Sequence, residues 1–362
     1  MKRILILLFL FLISCKETNV SVVEFESHHI QLNINVDNHS AKLSDSGKMR
    51  VSKGWNLFTL NGSVEIQSFN VEGSEIEYRS FSSKDSSNVP LEFRHKLPHG
   101  NPHEEEQIIA FQSKITAQKS FSISYSGKFY ENVEDVHFSN ENVGREVTAT
   151  ISEQGAYFSP AATYYPMGNE SMASFKLTAN IPDSWESISD GNRLSNETKD
   201  GRKIQSWGNP FKNDGNMFMA APFVTKSTWV DDIEVACYFF EADTGLFDQY
   251  LPATAGYIRQ YSELIGPYPY KRFTVVENFF PTGYGMPAWT LLGQQVIRLP
   301  FIVFTSLGHE VLHNWWGNSV YVDSERGNWC ESATVYGADY RYKLQRSPEA
   351  AKTYRKDILK QY

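Results

Sequence analysis

The chain has 362 residues, of which 41% are hydrophobic and 21% are charged, and its formal net charge is −8. This composition is typical of globular proteins and excludes extended disorder, while the length suits two domains better than a single core. The acidic balance, without a basic stripe, argues against nucleic-acid binding, because neutralising phosphates requires clustered Lys and Arg side chains.

The amino terminus is typical of an export signal. Two basic residues precede the apolar segment 4–13, which is too short to span a bilayer as a stable helix and is followed by a serine and Cys15. Segment 12–15 resembles a bacterial lipobox. We therefore expect a signal peptide over residues 1–14 and acylation of the Cys15 thiol. The lipid would anchor the chain to the bacterial cell envelope, facing the periplasm or the cell exterior. An ordinary secretory signal with an incidental cysteine is the alternative.

Residues 15–228 are predicted to form an N-terminal β domain. Segments such as 30–36, 121–125 and 175–179 alternate apolar and polar residues with the period of a strand. We therefore expect a sandwich or saddle of many short antiparallel strands, separated by four turn signals: Asn61-Gly62, Glu72-Gly73, Asp190-Gly191 and Asp200-Gly201.

Residues 229–362 are predicted to form a second domain of α/β type. Segments 233–239 and 273–276 have the pattern of strands, and about 244–264 has that of a helix. If Cys15 is acylated, Cys237 and Cys330 remain, and an exported protein permits a disulfide between them that the sequence does not establish.

The most informative stretch of the second domain is His309-Glu310-Val311-Leu312-His313. Residues four apart lie on one face of a helix, so the two imidazoles can converge on one metal ion, with Glu310 beside it. Two histidines with a glutamate next to the first are typical of a zinc site in which the carboxylate acts as general base. The flanking segment 301–312 is largely apolar and predicts a buried helix that begins near Pro300.

Glu331 is the favoured third metal ligand. It opens a helical run with apolar or aromatic residues at 333, 336, 340 and 344, which predicts that Glu331 lies on the first buried turn. Asp323 and Glu325 compete for this role, but they lie in a polar connection where a solvated carboxylate is the simpler interpretation. Cys330 is either a small buried thiol or a fourth ligand, and a fourth protein ligand would make the site structural.

Residues 309–318 read His-Glu-Val-Leu-His-Asn-Trp-Trp-Gly-Asn, and they resemble the gluzincin metallopeptidases of the aminopeptidase N type, whose helix reads His-Glu-x-x-His-x-Trp-(Trp/Phe)-Gly-Asn. Segment 266–276 is similar to that family's Gly-x-Tyr-Pro-Phe element, which leads into an edge strand beside the active site. The similarity is clear from about residue 260 to 340. It implies a thermolysin-like zinc peptidase domain behind an N-terminal β domain.

The resemblance also implies a function and its residues. One zinc ion would be bound by His309, His313 and Glu331, and Glu310 would activate the attacking water. A peptide or protein substrate would bind as an added strand along the backbone near Gly285 and Met286.

Three features depart from the family pattern. Seventeen residues, 314–330, separate the second histidine from Glu331, one fewer than is usual. Pro287 occupies the position of the glutamate that grips the substrate amine, and it offers neither a carboxylate nor an N–H. The sequence ends at Tyr362, before the region that carries the family's transition-state tyrosine, so we expect a gene fragment or a truncated member whose last helix is capped by Ser347.

These departures keep two other functions open. The chain is a non-catalytic lipoprotein if the zinc site is vestigial and the β domain binds a partner or a glycan. It is a hydrolase of another amide or ester bond if the metal site acts on a different substrate. A zinc metallopeptidase that lacks the amine-binding glutamate is the interpretation that the intact His309–His313 motif favours.

Overall fold

The structure, a computed structural model, describes residues 19–85, 87–96, 105–134, 147–169, 172–323 and 326–360. The predicted signal peptide, Cys15 and Glu325 lie outside these residues. Among the helices that the structure describes, none is both long and apolar enough to cross a membrane.

The described strands before residue 222 form three β-sheets. The largest has eight strands, which are in spatial order β14 (Asn192–Lys199), β15 (Arg202–Gly208), β12 (Ser174–Pro182), β2 (Glu24–Asn35), β3 (Ser40–Val51), β9 (Ala117–Lys128), β5 (Val64–Val71) and β6 (Ser74–Glu75). A four-stranded sheet contains β1 (Val20–Val22), β4 (Gly54–Asn61), β8 (Glu106–Ser113) and β7 (Tyr78–Ser82). The other contains β10 (Ala149–Ser152), β11 (Gly155–Phe158), β16 (Phe218–Ala221) and β13 (Glu186–Ser189).

Two of these three sheets are mixed, and only the sheet of β10, β11, β16 and β13 is purely antiparallel. β2 pairs in parallel with β12, and β1 pairs in parallel with β4. The prediction of antiparallel strands was wrong at these pairs because a parallel pair needs a long connection, and period-two patterns carry no information about distant partners. Of the four turn signals, Glu72-Gly73 and Asp200-Gly201 close hairpins, with φ of 53° and 75° in the first and 52° and 69° in the second. The other two lead from one sheet to another.

A five-stranded sheet follows, as the α/β pattern predicts. Its strands are in spatial order β17 (Val224–Val230), β18 (Ile233–Phe239), β19 (Arg272–Asn278), β21 (Trp289–Gly293) and β20 (Gly283–Met286). The α-helices are α1 (Leu91–Arg94), α2 (Phe247–Leu264), α3 (Gln294–Ile297), α4 (Ser306–Leu312), α5 (Trp329–Thr334), α6 (Arg341–Arg346) and α7 (Pro348–Leu359). Short 3₁₀ helices cover Pro160–Ala162, Glu241–Leu246 and Ile302–Phe304.

The five-stranded sheet lies between two hydrophobic cores. Val276 and Trp289 on one face pack into the core that also contains the β-sheets of the first half of the chain. Val275 on the other face packs beneath α2 and α4, against residues such as Ile258 and Leu307. Neighbouring strand residues point to opposite faces, so consecutive valines supply both cores.

The helical run after residue 328 differs from its prediction. α5 and α6 are joined without a break by a π-helical segment, Val335–Tyr340. The predicted apolar stripe was wrong, because the side chains of Tyr336 and Leu344 are exposed, whereas the smaller Thr334 and Ala338 are buried. Small residues are required there because the run packs closely on α4, as a Cβ on Gly337 would lie 2.7 Å from Leu312 Cδ2. The cap at Ser347 is confirmed, since its side chain accepts a hydrogen bond from the Ala350 N–H at 3.0 Å.

Candidate metal centre

Helix α4 brings the two histidines of the motif together. It begins at Ser306 rather than near Pro300, and His313 occupies its C-cap with helical φ and ψ of −56° and −19°. His313 therefore stands one turn after His309 on the same face. The two Nε2 atoms are 3.0 Å apart. Buried Leu307 and Val311 hold the opposite face of the helix in the second core.

Glu331 completes a group of three metal-binding side chains. It lies in the first turn of α5, and its backbone N–H donates a hydrogen bond to the side chain of the N-cap residue Asn328. Its Oε2 is 3.4 Å from His309 Nε2 and its Oε1 is 3.4 Å from His313 Nε2. Contrary to the predicted burial, 56% of its side chain is exposed, because it faces the open side of the site rather than the core.

The geometry of this group fits zinc. Its ligand atoms all lie within 4.8 Å of one another. A tetrahedral zinc ion with bonds of about 2.0–2.1 Å holds neighbouring ligand atoms roughly 3.3 Å apart. The observed separations of 3.0 and 3.4 Å match that spacing. Two histidines and one glutamate leave the fourth position of such an ion open, which is typical of catalytic rather than structural zinc sites.

The other ring nitrogens of both histidines have acceptors. His309 Nδ1 lies 2.8 Å from Asp339 Oδ2. His313 Nδ1 lies 3.4 Å from both the Trp316 carbonyl oxygen and Thr334 Oγ1. These contacts favour a proton on Nδ1 and leave Nε2 free to bind a metal, as the hydrogen-bond partners of metal-binding histidines do in zinc proteins.

Asp339 is a candidate functional residue that the sequence pattern missed. It lies eight positions after Glu331, which in a regular α-helix corresponds to a rotation of about 80° beyond two full turns. The π-helical segment contains the extra residue in a wider turn, so Asp339 faces the same histidines as Glu331. Only the structure reveals this, because no spacing rule points to a π-helix.

The titration of these groups follows their burial and neighbours. Burial opposes the charged form of His309, but its hydrogen bond to Asp339 and the nearby carboxylates raise its pKa overall. Burial, followed by the charge of His309, lowers the pKa of His313. Burial raises the pKa of Glu310 to about 7, although His309 acts in the opposite direction. A glutamate with a pKa near neutrality is suited to accepting and releasing a proton.

Glu310 lies directly above the edge strand β20. An ideal Cβ on Gly285 would fall well inside van der Waals contact with Glu310 Oε2, while remaining 4.0 Å from His313 Cβ. Gly285 thus leaves the space that the carboxylate occupies. Met286 points the other way, and its side chain is buried in the first core. Both predicted substrate-binding residues can therefore offer a substrate only their backbone.

Pro287 and Ala288 form a two-residue turn between β20 and β21. Ala288 adopts a φ of 73°, a left-handed conformation that favours Gly or Asn. Its N–H donates to Asn314 Oδ1 at 2.8 Å, and the Pro287 carbonyl oxygen accepts from the Gly191 N–H at 2.9 Å. The turn is therefore bound both to the segment after α4 and to the β region, without any carboxylate at position 287.

Two of the competing ligands, Asp323 and Cys330, take other positions. Asp323 is exposed and pairs with Arg326 at 3.2 Å. Cys330 Sγ lies 3.3 Å from His313 Nδ1, the ring nitrogen that does not face Glu331. Cys237 and Cys330 are both free and buried, and burial raises the pKa of each thiol. The thiol of Cys330 therefore packs behind His313 rather than beside the three ligand atoms.

Comparison with known proteins identifies the fold. No protein-family model and no curated protein matches the chain. The structure is similar to an M1 zinc metallopeptidase from Deinococcus radiodurans, with a TM-score of 0.62 and 13% sequence identity over 89% of this chain and 70% of that one. A mutant of the Deinococcus radiodurans enzyme bound to a Tyr-Ser-Ala substrate gives a TM-score of 0.61 at 12% identity, with the same coverage.

A third solved structure, a two-domain M1 zinc metallopeptidase mutant bound to L-arginine, matches with a TM-score of 0.62 at 12% identity. At such identities the similarity shows the fold alone. The chain therefore has the fold of M1 zinc metallopeptidases, and its His-His-Glu group suits the metal that those proteins are named for.

Proposed function

We propose that this chain is a zinc-dependent metallopeptidase that hydrolyses peptide bonds through a metal-activated water and lacks the glutamate that anchors a substrate amine. The carrying observation is the convergence of three ligand atoms within 4.8 Å, with the half-buried side chain of Glu310 next to them. His309, His313 and Glu331 would bind the ion. Zinc, when bound, polarises a substrate carbonyl and lowers the pKa of a water molecule.

The remaining chemistry is assigned to the chain itself. Glu310 accepts the proton of the attacking water and then passes it to the leaving amine, a task that suits a pKa of about 7. Asp339 and Thr334 orient the imidazoles. β20 lies at the edge of the five-stranded sheet, so a peptide can add to it as a further strand.

Pro287 supports cleavage that is not anchored on the substrate amino terminus. The turn that carries it offers no carboxylate to a substrate ammonium, and its backbone is already bonded to Gly191. We therefore assign peptide bonds as the substrate class without assigning aminopeptidase end-specificity.

Two variants test this function together. His313→Ala should remove zinc, measured by elemental analysis of the purified protein, whereas Glu310→Gln should retain zinc and lose cleavage of a mixed peptide library. Unchanged metal content in His313→Ala would show that the site is misassigned. Equal cleavage by wild type and Glu310→Gln would refute the role of the carboxylate.

The second candidate is a non-catalytic lipoprotein with a vestigial zinc site, and the absence of a carboxylate at Pro287 favours it. Wild type would then bind zinc without cleaving any library peptide, and binding of a partner or glycan by the β region would survive Glu310→Gln. A hydrolase of another amide or ester bond would show zinc-dependent activity only on non-peptide substrates.

We also propose that Cys15 carries a lipid that tethers the protein to the bacterial cell envelope. Its support is the apolar segment 4–13 followed by the lipobox-like segment 12–15. Labelling of cells with a radioactive fatty acid should mark the wild type and not Cys15→Ser. Labelling of both, or of neither, would refute the anchor.

A further inference from the structure

A cavity of about 830 Å³ lies beside the candidate metal centre. One wall belongs to the large β-sheet and contains Phe25 and Phe175, and the other contains Gly317, Cys330 and Glu331. Cavities of roughly 300–1,000 Å³ are typical of ligand-binding sites. The cavity is therefore large enough to hold a bulky side chain together with neighbouring peptide backbone.

A β-bulge creates the aromatic wall. The pairing of β2 with β3 changes register between Phe25 and Ser27. Residues three apart in a regular strand point to opposite faces, but the extra residue of the bulge turns Phe25 and His28 toward the same side. Both line the cavity.

The wall is rigid as well as aromatic. The His28 ring stacks on Phe175 with centroids 5.0 Å apart and an interplanar angle of 10°. Tyr165 packs edge-on against His28 at 5.1 Å. His28 Nδ1 lies 2.6 Å from Oδ2 of Asp45, and both side chains are buried, which fixes the orientation of the imidazole. Because each of these rings is less than 10% exposed, the wall is a fixed apolar surface against which the ring of a ligand can pack.

The cavity is connected to the metal centre through Glu331. Glu331 lines the cavity, and its two carboxylate oxygens lie 3.4 Å from the Nε2 atoms of His309 and His313. A substrate whose carbonyl lies at the metal would therefore carry an adjacent side chain to the mouth of the cavity. The lining also includes Asp214, and none of the described lining residues is Lys or Arg, so an acidic side chain is disfavoured there.

We propose that this cavity is the specificity pocket of the enzyme, and that it binds a large aromatic side chain next to the scissile bond and rejects acidic ones. The inference rests on the proposed peptidase function. It adds a substrate class, peptides with Phe, Tyr or Trp near the cleavage point, to a site whose amine anchor is missing.

The test compares peptides that differ only in one residue beside the scissile bond: Phe, Ala or Asp. Wild type should prefer Phe over Ala by at least about tenfold in kcat/KM, the discrimination that a hydrophobic pocket supplies, and should cleave the Asp peptide least. Met172→Trp adds bulk to a cavity-lining residue and should lower the Phe-to-Ala ratio by a similar factor. Leu194→Trp, at an exposed position on β14 away from the cavity, is the matched control and should leave the ratio unchanged.

A binding measurement separates failure of this inference from failure of the proposed function. Glu310→Gln should bind a labelled Phe peptide more tightly than the Ala peptide in fluorescence anisotropy, and Met172→Trp in the same background should abolish the difference. Equal binding of both peptides, or cleavage that Met172→Trp reduces equally for all peptides, would overturn the specificity pocket while leaving the peptidase intact. If the wild type cleaves none of the peptides while Glu310→Gln still binds the Phe peptide more tightly, only the proposed peptidase function is overturned.

Discussion

Gly285→Ala should separate the position of Glu310 from metal binding. The new Cβ would overlap Glu310 Oε2, yet it would lie at an ordinary 3.7 Å from Glu310 Cδ and 4.0 Å from His313 Cβ. The clash therefore falls on one carboxylate oxygen. Restoring normal contact requires that oxygen to move by about 1 Å, since non-bonded atoms pack at roughly 3.5 Å.

A displacement of about 1 Å from reactive geometry costs on the order of a hundredfold in rate. We expect Gly285→Ala to lower kcat on a cleavable Phe peptide by about that factor, with little change in zinc content or in KM. The assay is steady-state cleavage monitored by chromatography, alongside elemental analysis and thermal unfolding of the same preparations.

Gly283→Ala is the matched control. It lies two residues earlier on β20, and an added Cβ there would meet no atom within 4 Å. The two variants have the same change in composition on the same strand. Equal activity of the two variants would refute the steric argument. A raised KM with unchanged kcat in Gly285→Ala would show that position 285 contacts the substrate rather than positioning the Glu310 carboxylate.

Three further outcomes follow from other parts of the structure. Asp339→Asn should weaken zinc affinity by about 10- to 100-fold in a chelator competition, because it removes the carboxylate partner of a metal-binding histidine, whereas Asp357→Asn on α7 should not. Burial raises the pKa of Glu277 from 4.5 to about 8, so the folded protein keeps a proton that the unfolded chain releases, and the free energy of unfolding falls as pH rises across that window. The free energy of unfolding of Glu277→Gln, measured by urea denaturation, should therefore exceed that of the wild type by on the order of 1–3 kcal/mol at pH 8 and equal it near pH 4.5. Ala288→Gly should raise the free energy of unfolding by roughly 0.5–1 kcal/mol by relieving a left-handed φ of 73°, and Gly73→Ala, at a φ of 75°, should lower it by about 1 kcal/mol.

Each of these outcomes has a contrary result. Equal zinc affinity of the wild type and the Asp339 variant would mean that the carboxylate does not support the histidine. A pH-independent difference between Glu277→Gln and wild type would mean that the folded carboxyl titrates normally. A less stable Ala288→Gly protein would mean that the turn at Pro287 is not strained.

The sequence predicted local chemistry better than long-range arrangement. The spacing of His309 and His313 predicts convergence on one face of a helix, and the structure places their Nε2 atoms 3.0 Å apart. The polar character of the connection that contains Asp323 similarly favoured Glu331 as the third metal ligand. The structure brings His309, His313 and Glu331 together, as expected from helix geometry and local polarity.

Pairing between distant strands was not predictable. β2 and β12 are far apart in the chain, and their parallel pairing is set by packing of the whole sheet. The bulge that turns Phe25 toward the cavity is likewise invisible in the residue pattern. The apolar stripe after Glu331 was misread because the wider turn rotates the exposed aromatic side chains away from the expected face.

The π-helical segment Val335–Tyr340 also constrains how the gene can change. Its wider turn holds one residue more than a regular α-helix would, so a one-codon deletion within it would leave Asp339 seven positions after Glu331, only about 20° from the same face of a regular α-helix. Asp339 would then still face His309, and no metal ligand would have been altered. A one-codon insertion would instead rotate Asp339 by about a further 100°, away from His309. Zinc binding should therefore tolerate the loss of a codon in this run better than the gain of one.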